Sequence, residues 1–150
     1  MRAVIQRVTQ AHVSVDGVVT GKIGNGVVIL FGAEDGDTKD DFDYVLKKCV
    51  NLRIFSDESG KMNLALKDIG GEILCISQFT LLGDIKSGNR PGFTRAMEPG
   101  AAKDIYDKFC DECEKILGRK TQKGVFGADM KVHILNDGPV TIIVDSRNRI

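Results

Sequence analysis

The chain reads as a single α+β domain over residues 1–150, a mainly antiparallel, barrel-like β-sheet with two α-helices packed on it. Three observations predict this. Short segments of alternating or continuous apolar residues, separated by tight-turn dipeptides, dominate the first third and the last fifth of the chain. Two longer segments repeat their apolar residues at helical spacing, which suits a helix lying on a sheet. No linker, internal repeat or low-complexity tract interrupts the chain, and 42% hydrophobic with 28% charged residues is an ordinary globular balance.

Residues 2–8 predict a strand, and Ala11, Val13 and Val15 alternate with His12 and Ser14 at the period of a half-buried one. Asp16-Gly17 is a two-residue hairpin signal, Val18-Val19 continues outward, and Gly24-Asn25-Gly26 turns the chain again. Val27 to Phe31 is apolar throughout, as a strand buried on both faces requires. Thr38-Lys39-Asp40-Asp41 resembles a capping box, followed by Phe42, Val45, Leu46, Cys49 and Val50 on one helical stripe. Leu52–Phe55 and Met62–Leu66 are short strand candidates around the polar turn 56–60. Ile73-Leu74-Cys75-Ile76 is a stronger one, running into Ser77-Gln78-Phe79-Thr80-Leu81. Residues 83–95 form a long, turn-rich connector. Pro99 opens the second helix, with Ala102, Ile105, Phe109, Cys113, Ile116 and Leu117 as its stripe and Gly118 as C-cap. Met130–Leu135 and Val140–Val144 read as two strands around Asn136-Asp137-Gly138-Pro139.

Composition narrows the function classes. Arg2 and Arg7 break the first apolar stretch, so it does not serve as a signal-peptide core, and no apolar run approaches the roughly 18 residues of a membrane span. The expectation is a soluble cytoplasmic protein without a membrane partner. With 21 Lys+Arg against 21 Asp+Glu, no broad basic face is available to wrap long nucleic acid, so any RNA contact is local and DNA is not expected as a partner. Cys110-x-x-Cys113 has redox or metal spacing, but no second pair completes a zinc set. Cys49, Cys75, Cys110 and Cys113 read as reduced core or surface thiols. His12 and His133 sit on the polar side of alternating strands, and no zincin, nucleophile-elbow, nucleotide-loop or dinucleotide motif is present. No metal and no cofactor is expected.

Two places break local rules. In 77–80, polar side chains enter an apolar strand, and 136–139 is a Gly-Pro turn. Taken alone, Ser77 and Thr80 are strand hydroxyls bonded to backbone, and Gly138-Pro139 is a plain turn, since only about 5–6% of X-Pro bonds are cis.

Taken together, ordered motifs along nearly the whole chain resemble the D-aminoacyl-tRNA deacylases. These are Met1 to Val8, Asn51-Leu52-Arg53-Ile54-Phe55, Gly60-Lys61-Met62-Asn63, Ser77-Gln78-Phe79-Thr80-Leu81, Arg90-Pro91, Phe126-Gly127-Ala128-Asp129-Met130 and Asn136-Asp137-Gly138-Pro139-Val140-Thr141. Gly92 departs from the pattern, where a serine is expected. The resemblance implies a homodimeric hydrolase with sites at the subunit interface, cutting the ester at the 3′ end of D-aminoacyl-tRNA. A cis Gly138-Pro139 dipeptide would reach into the partner's pocket, whose other side is Ser77-Gln78-Phe79-Thr80, with Phe126 and Met130 nearby.

Such a dipeptide can aim two carbonyl oxygens at the substrate's α-carbon, so that an L side chain collides while a D side chain points elsewhere; selectivity then rests on repulsion. Glycyl-tRNA, with nothing to collide, should also be cleaved. Backbone N–H groups near Gln78 and Phe79 are candidates for the oxyanion hole. Thr80 is either a nucleophile or a pocket residue, and no base for its hydroxyl is evident; the resemblance implies instead that the ribose hydroxyl of the tRNA itself assists, which is the preferred route. Lys86, Arg90 and Arg95 surround the long connector and are candidates for phosphate contacts. The rival readings are a non-enzymatic nucleic-acid-binding module, against which net neutrality argues, and a redox or metal protein built on Cys110 and Cys113.

Overall fold

A computed structural model describes residues 1–149. The chain runs β1 (Arg2–Val15), β2 (Val18–Ile23), β3 (Gly26–Gly32), α1 (Lys39–Asn51), β4 (Phe55–Ser56), β5 (Met62–Leu64), β6 (Glu72–Ser77), a 3₁₀ turn (Phe79–Leu82), α2 (Pro99–Leu117), β7 (Gln122–Lys123) and β8 (Lys131–Asp145). Strand β1 organises the sheet. One edge pairs with β8 along nearly its whole length; the other pairs with β3 over Arg2–Val8 and with β2 over Ala11–Val15. The order β2-β1-β3-β6-β7 curls until the Thr20 hydroxyl on β2 donates to the Lys123 carbonyl on β7 at 3.5 Å, nearly closing a barrel.

The sheet is mainly antiparallel, as expected, but mixed: β3 pairs with β6 in parallel and β6 with β7 in parallel. Parallel neighbours need a long crossover, and residues 33–71, including α1, supply it between β3 and β6. Alternation divides the apolar residues between two cores. Ile5, Val27, Ile29, Phe31, Ile73 and Cys75 meet the helices; Val8, Val13, Val28, Leu74 and Ile76 fill the barrel. Strand β3 is thus buried on both faces, as its uniform apolarity predicts.

Helix α1 begins at the reciprocal Thr38–Asp41 capping box, and all five stripe residues are buried. Helix α2 begins with Pro99 and ends at Gly118, whose φ of 68° suits a residue without Cβ. Its buried face is centred on Tyr106, Phe109, Cys110 and Cys113, while Ile116 is 41% exposed and falls outside the expected stripe. All four cysteines are buried free thiols. The expected strand over Leu52–Phe55 shrinks to Phe55–Ser56, paired with Met62–Leu64 in a separate small ribbon. The two strands expected around Asn136–Pro139 are one irregular strand. Gln6 pairs with Thr141 and Val8 with Asn136, so Asp137, Gly138, Pro139 and Val140 all stand opposite the lone Arg7 and bulge out.

Candidate functional site

Where β6 stops, a cavity of about 550 Å³ opens between the ends of β3 and β6, the start of α2 and the segment entering β8. Strand β6 ends at Ser77, and Phe79–Leu82 turns into a 3₁₀ helix, so the expected continuation as strand through Leu81 does not occur. The cause lies in the backbone pairing. The Gln78 N–H donates to the Phe31 carbonyl at 2.7 Å, prolonging the parallel ladder by one bond, after which the Gln78 carbonyl accepts from Leu81 N–H and closes the turn. A Cβ on Gly32 would lie 2.9 Å from the Gln78 carbonyl, so this glycine permits the close approach.

Ser77, Gln78, Phe79, Phe126 and Met130 all line this cavity. Thr80 is exposed beside it, its hydroxyl accepting a hydrogen bond from the Gln78 side-chain amide. The Gln78 backbone amide, expected as an oxyanion donor, is already engaged by Phe31. The Phe79 and Thr80 amides begin the 3₁₀ turn and have no acceptor among the described residues, as first-turn amides generally lack one within the helix. Lys86 and Arg90 are exposed on the connector, outside the cavity wall, and Gly92 pairs with Asp84 at its neck. Gly138 and Pro139 do not line their own chain's cavity either. They are exposed, their peptide bond is cis, and the turn is tied down by Arg7, which donates to the Asp137 carbonyl at 3.0 Å and the Ile54 carbonyl at 2.7 Å.

Part of the wall escapes sequence reasoning. Phe93, Met97, Glu98 and Ala102 complete it. They are brought in by a backbone seam from the end of β3 to the connector: Asp35 N–H donates to the Arg95 carbonyl and Met97 N–H to the Ala33 carbonyl. The buried Glu34 carboxylate reinforces the seam, accepting two bonds from Arg95 at 2.8 and 2.7 Å and another from Arg147. Arg95, expected as a phosphate ligand, is therefore engaged internally. Glu98 caps α2 through the N–H groups of Gly100 and Ala101, which hold its carboxyl below the ordinary glutamate range. The remaining wall is largely apolar, and Phe79 meets Phe93 edge to face at 5.1 Å. Phe126 leans on Tyr106, whose buried hydroxyl donates to the Cys75 carbonyl, so helix, strand and pocket wall are locked together. Among the described residues, no group of three or more His, Cys, Asp or Glu side chains is arranged to hold a metal ion.

A cleft with an amide-bearing turn at its base is suited to binding a small group and stabilising negative charge on an oxygen. Comparison with known proteins identifies the scaffold. The family model described as D-Tyr-tRNA(Tyr) deacylase matches residues 4–145. This chain belongs to that deacylase family. Curated relatives called D-aminoacyl-tRNA deacylase include those of Natranaerobius thermophilus, 52% identical, and Parabacteroides distasonis, 51% identical, each match covering 99% of both chains. The deacylase fold recurs in a solved structure described as a c-Myc DNA unwinding element binding protein, with TM-score 0.90, 42% identity and coverage of 97% of this chain and 98% of that one. A structure described as a probable eukaryotic D-amino acid tRNA deacylase shares the fold at TM-score 0.79 and 20% identity, covering 95% and 97% of the two chains. As a deacylase-family member, the chain is a hydrolase.

Proposed function

We propose that this chain hydrolyses the ester between a D-amino acid, or glycine, and the 3′ end of tRNA, and that it works in the cytoplasm as a homodimer in which Gly138-Pro139 of each subunit guards the other's pocket. The observation that carries the reading is the separation of the two family motifs. Ser77-Gln78-Phe79 lines the cavity, whereas Gly138-Pro139 lies outside its lining on an exposed bulge of β8. A second copy is the economical way to bring them together.

In this reading the ester carbonyl oxygen sits against the Phe79 and Thr80 amides, which stabilise the oxyanion that forms as water attacks. Phe126 and Met130 shape the space around the aminoacyl group. The carbonyl oxygens of Gly138-Pro139 occupy the volume an L side chain would need, so discrimination is steric and glycine passes. Thr80 serves as a pocket residue, because its described partner is an amide and an amide is no base. The adjacent ribose hydroxyl of the tRNA assists the proton transfer. Lys86 and Arg90, exposed on the connector, meet phosphates of the acceptor end.

The test is release of D-tyrosine, L-tyrosine and glycine from the corresponding charged tRNAs by the wild type and by Gly138→Ala. The wild type should clear the D and glycyl esters and spare the L ester. Gly138 has φ of 125°, and an added Cβ would lie 2.9 Å from Val140 Cγ2 and 3.0 Å from an Arg7 guanidinium nitrogen, so the variant should lose activity or selectivity. No turnover of any ester, with binding to uncharged nucleic acid retained, would instead favour a binding role of the kind stated in the name of the c-Myc DNA unwinding element binding protein.

A further inference from the structure

Away from the cavity, the chain's only two histidines meet. His12 on β1 stands directly opposite His133 on β8, and their rings stack with centroids 4.2 Å apart and planes 13° from parallel. Their neighbours Ala11 and Ile134 pack toward the barrel, so the imidazoles face outward. They line a shallow depression of about 300 Å³ shared with Gln10 and Leu135. The proposed hydrolysis uses neither ring, and neither ring lines the catalytic cavity.

We propose that His12 and His133 form a two-histidine chelate for a divalent transition-metal ion such as Zn²⁺, with solvent completing its coordination. Imidazole nitrogen suits zinc, copper and nickel. Two nitrogens bound at about 2.0–2.1 Å in tetrahedral geometry lie about 3.3 Å apart. The ring centroids are 4.2 Å apart, and because each nitrogen's lone pair lies in its ring plane, binding turns both rings out of their stack so that the two nitrogens converge; rotation about the side-chain bonds does this with no movement of the paired strands. Because both Cα positions are fixed by the β1–β8 ladder, little conformational freedom is lost on binding. The depression leaves room for the ion and its waters, and the Gln10 side chain, two residues from His12 on the same strand face, offers a further oxygen. Cations that flank the pair along the strands are Lys22, the register partner of His12 on β2, and Lys131, two residues before His133 and ion-paired with Asp129 at 3.0 Å. Lys22 is exposed, so solvent and salt screen its effect.

Isothermal titration of Zn²⁺ into the full chain, kept reduced, tests this, with His12→Ala and His133→Ala as the comparison. Losing a hydrogen-bonding partner of a ligand already costs about 10–100-fold in metal affinity, so removing a ligand should weaken binding by at least that much in each variant. One equivalent per chain is expected, together with a rise in melting temperature on adding Zn²⁺ that both variants lack. Circular dichroism and tRNA deacylation without added metal should match the wild type, which separates loss of the site from loss of the fold. Absence of zinc binding by the wild type, binding unchanged in both variants, or loss in only one of them would overturn the chelate.

Discussion

At the scale of single residues, two side chains decide how the pocket works. If Thr80 is not the nucleophile, Thr80→Ala should keep kcat within about tenfold of the wild type; a loss of about 10⁴-fold or more, with substrate binding intact, would mark a covalent role. Met130 can be moved indirectly. A Cβ on Gly124 would come within 2.4 Å of the Met130 sulfur, a flexible atom, and 3.3 Å of Ile76 Cδ1. Gly124→Ala should therefore leave the melting temperature nearly unchanged while pushing Met130 into the cavity, lowering kcat/KM by about tenfold. Ser77, Gln78, Phe79, Phe126 and Met130 are legible in the sequence because they sit in ordered motifs. Phe93, Met97 and Glu98 are not, because only the seam to Ala33 and Asp35 carries them to the wall, and such pairing leaves no local pattern. The engagement of the Gln78 amide is invisible for the same reason: the alternation of a strand does not say which carbonyl its next N–H will meet.

At the scale of elements, both helices and the early hairpin are legible, since caps, stripes and Asp16-Gly17 are local signals. The parallel pairing of β3 with β6 is not, because apolar runs specify burial but not direction. That pairing depends on Gly26, where a Cβ would lie 2.0 Å from the Glu72 carbonyl oxygen and 2.7 Å from its nitrogen. Both obstacles are backbone, so Gly26→Ala should destabilise the fold by about 3 kcal/mol or more, measured by urea unfolding. The start of α2 gives a pH signature. Gly100 and Ala101 N–H groups lower the folded-state pKa of Glu98. Its contribution is then complete above the ordinary glutamate value of about 4.3 and lost as pH falls through the lower folded value. The stability gap between wild type and Glu98→Gln should accordingly be widest near neutrality and close on acidification, with urea midpoints across that range as the measurement.

At the scale of the whole molecule, the proposed dimer and its substrate give the remaining expectations. Sedimentation should show a two-chain species. Binding of charged tRNA should weaken as salt rises, with a shallower slope in Arg90→Ala, since each neutralised phosphate contributes to that slope. No described helix is long and apolar enough to cross a membrane. The pairing of β1 with β8 has one more consequence. Arg2 is the partner of Asp145, so the first strand to be made must wait for the last before its outer edge is satisfied. Contacts so distant along the chain carry a large loop-closure entropy and slow the search for the native topology. During synthesis, β1, β2 and β3 can form a meander early, but β8 and the Gly138-Pro139 bulge it carries cannot take their places until translation has passed residue 145. In the proposed mechanism the chiral filter is thus acquired at the end of folding, and a nascent chain halted before that point would hold the barrel's strands with an open edge and without that filter.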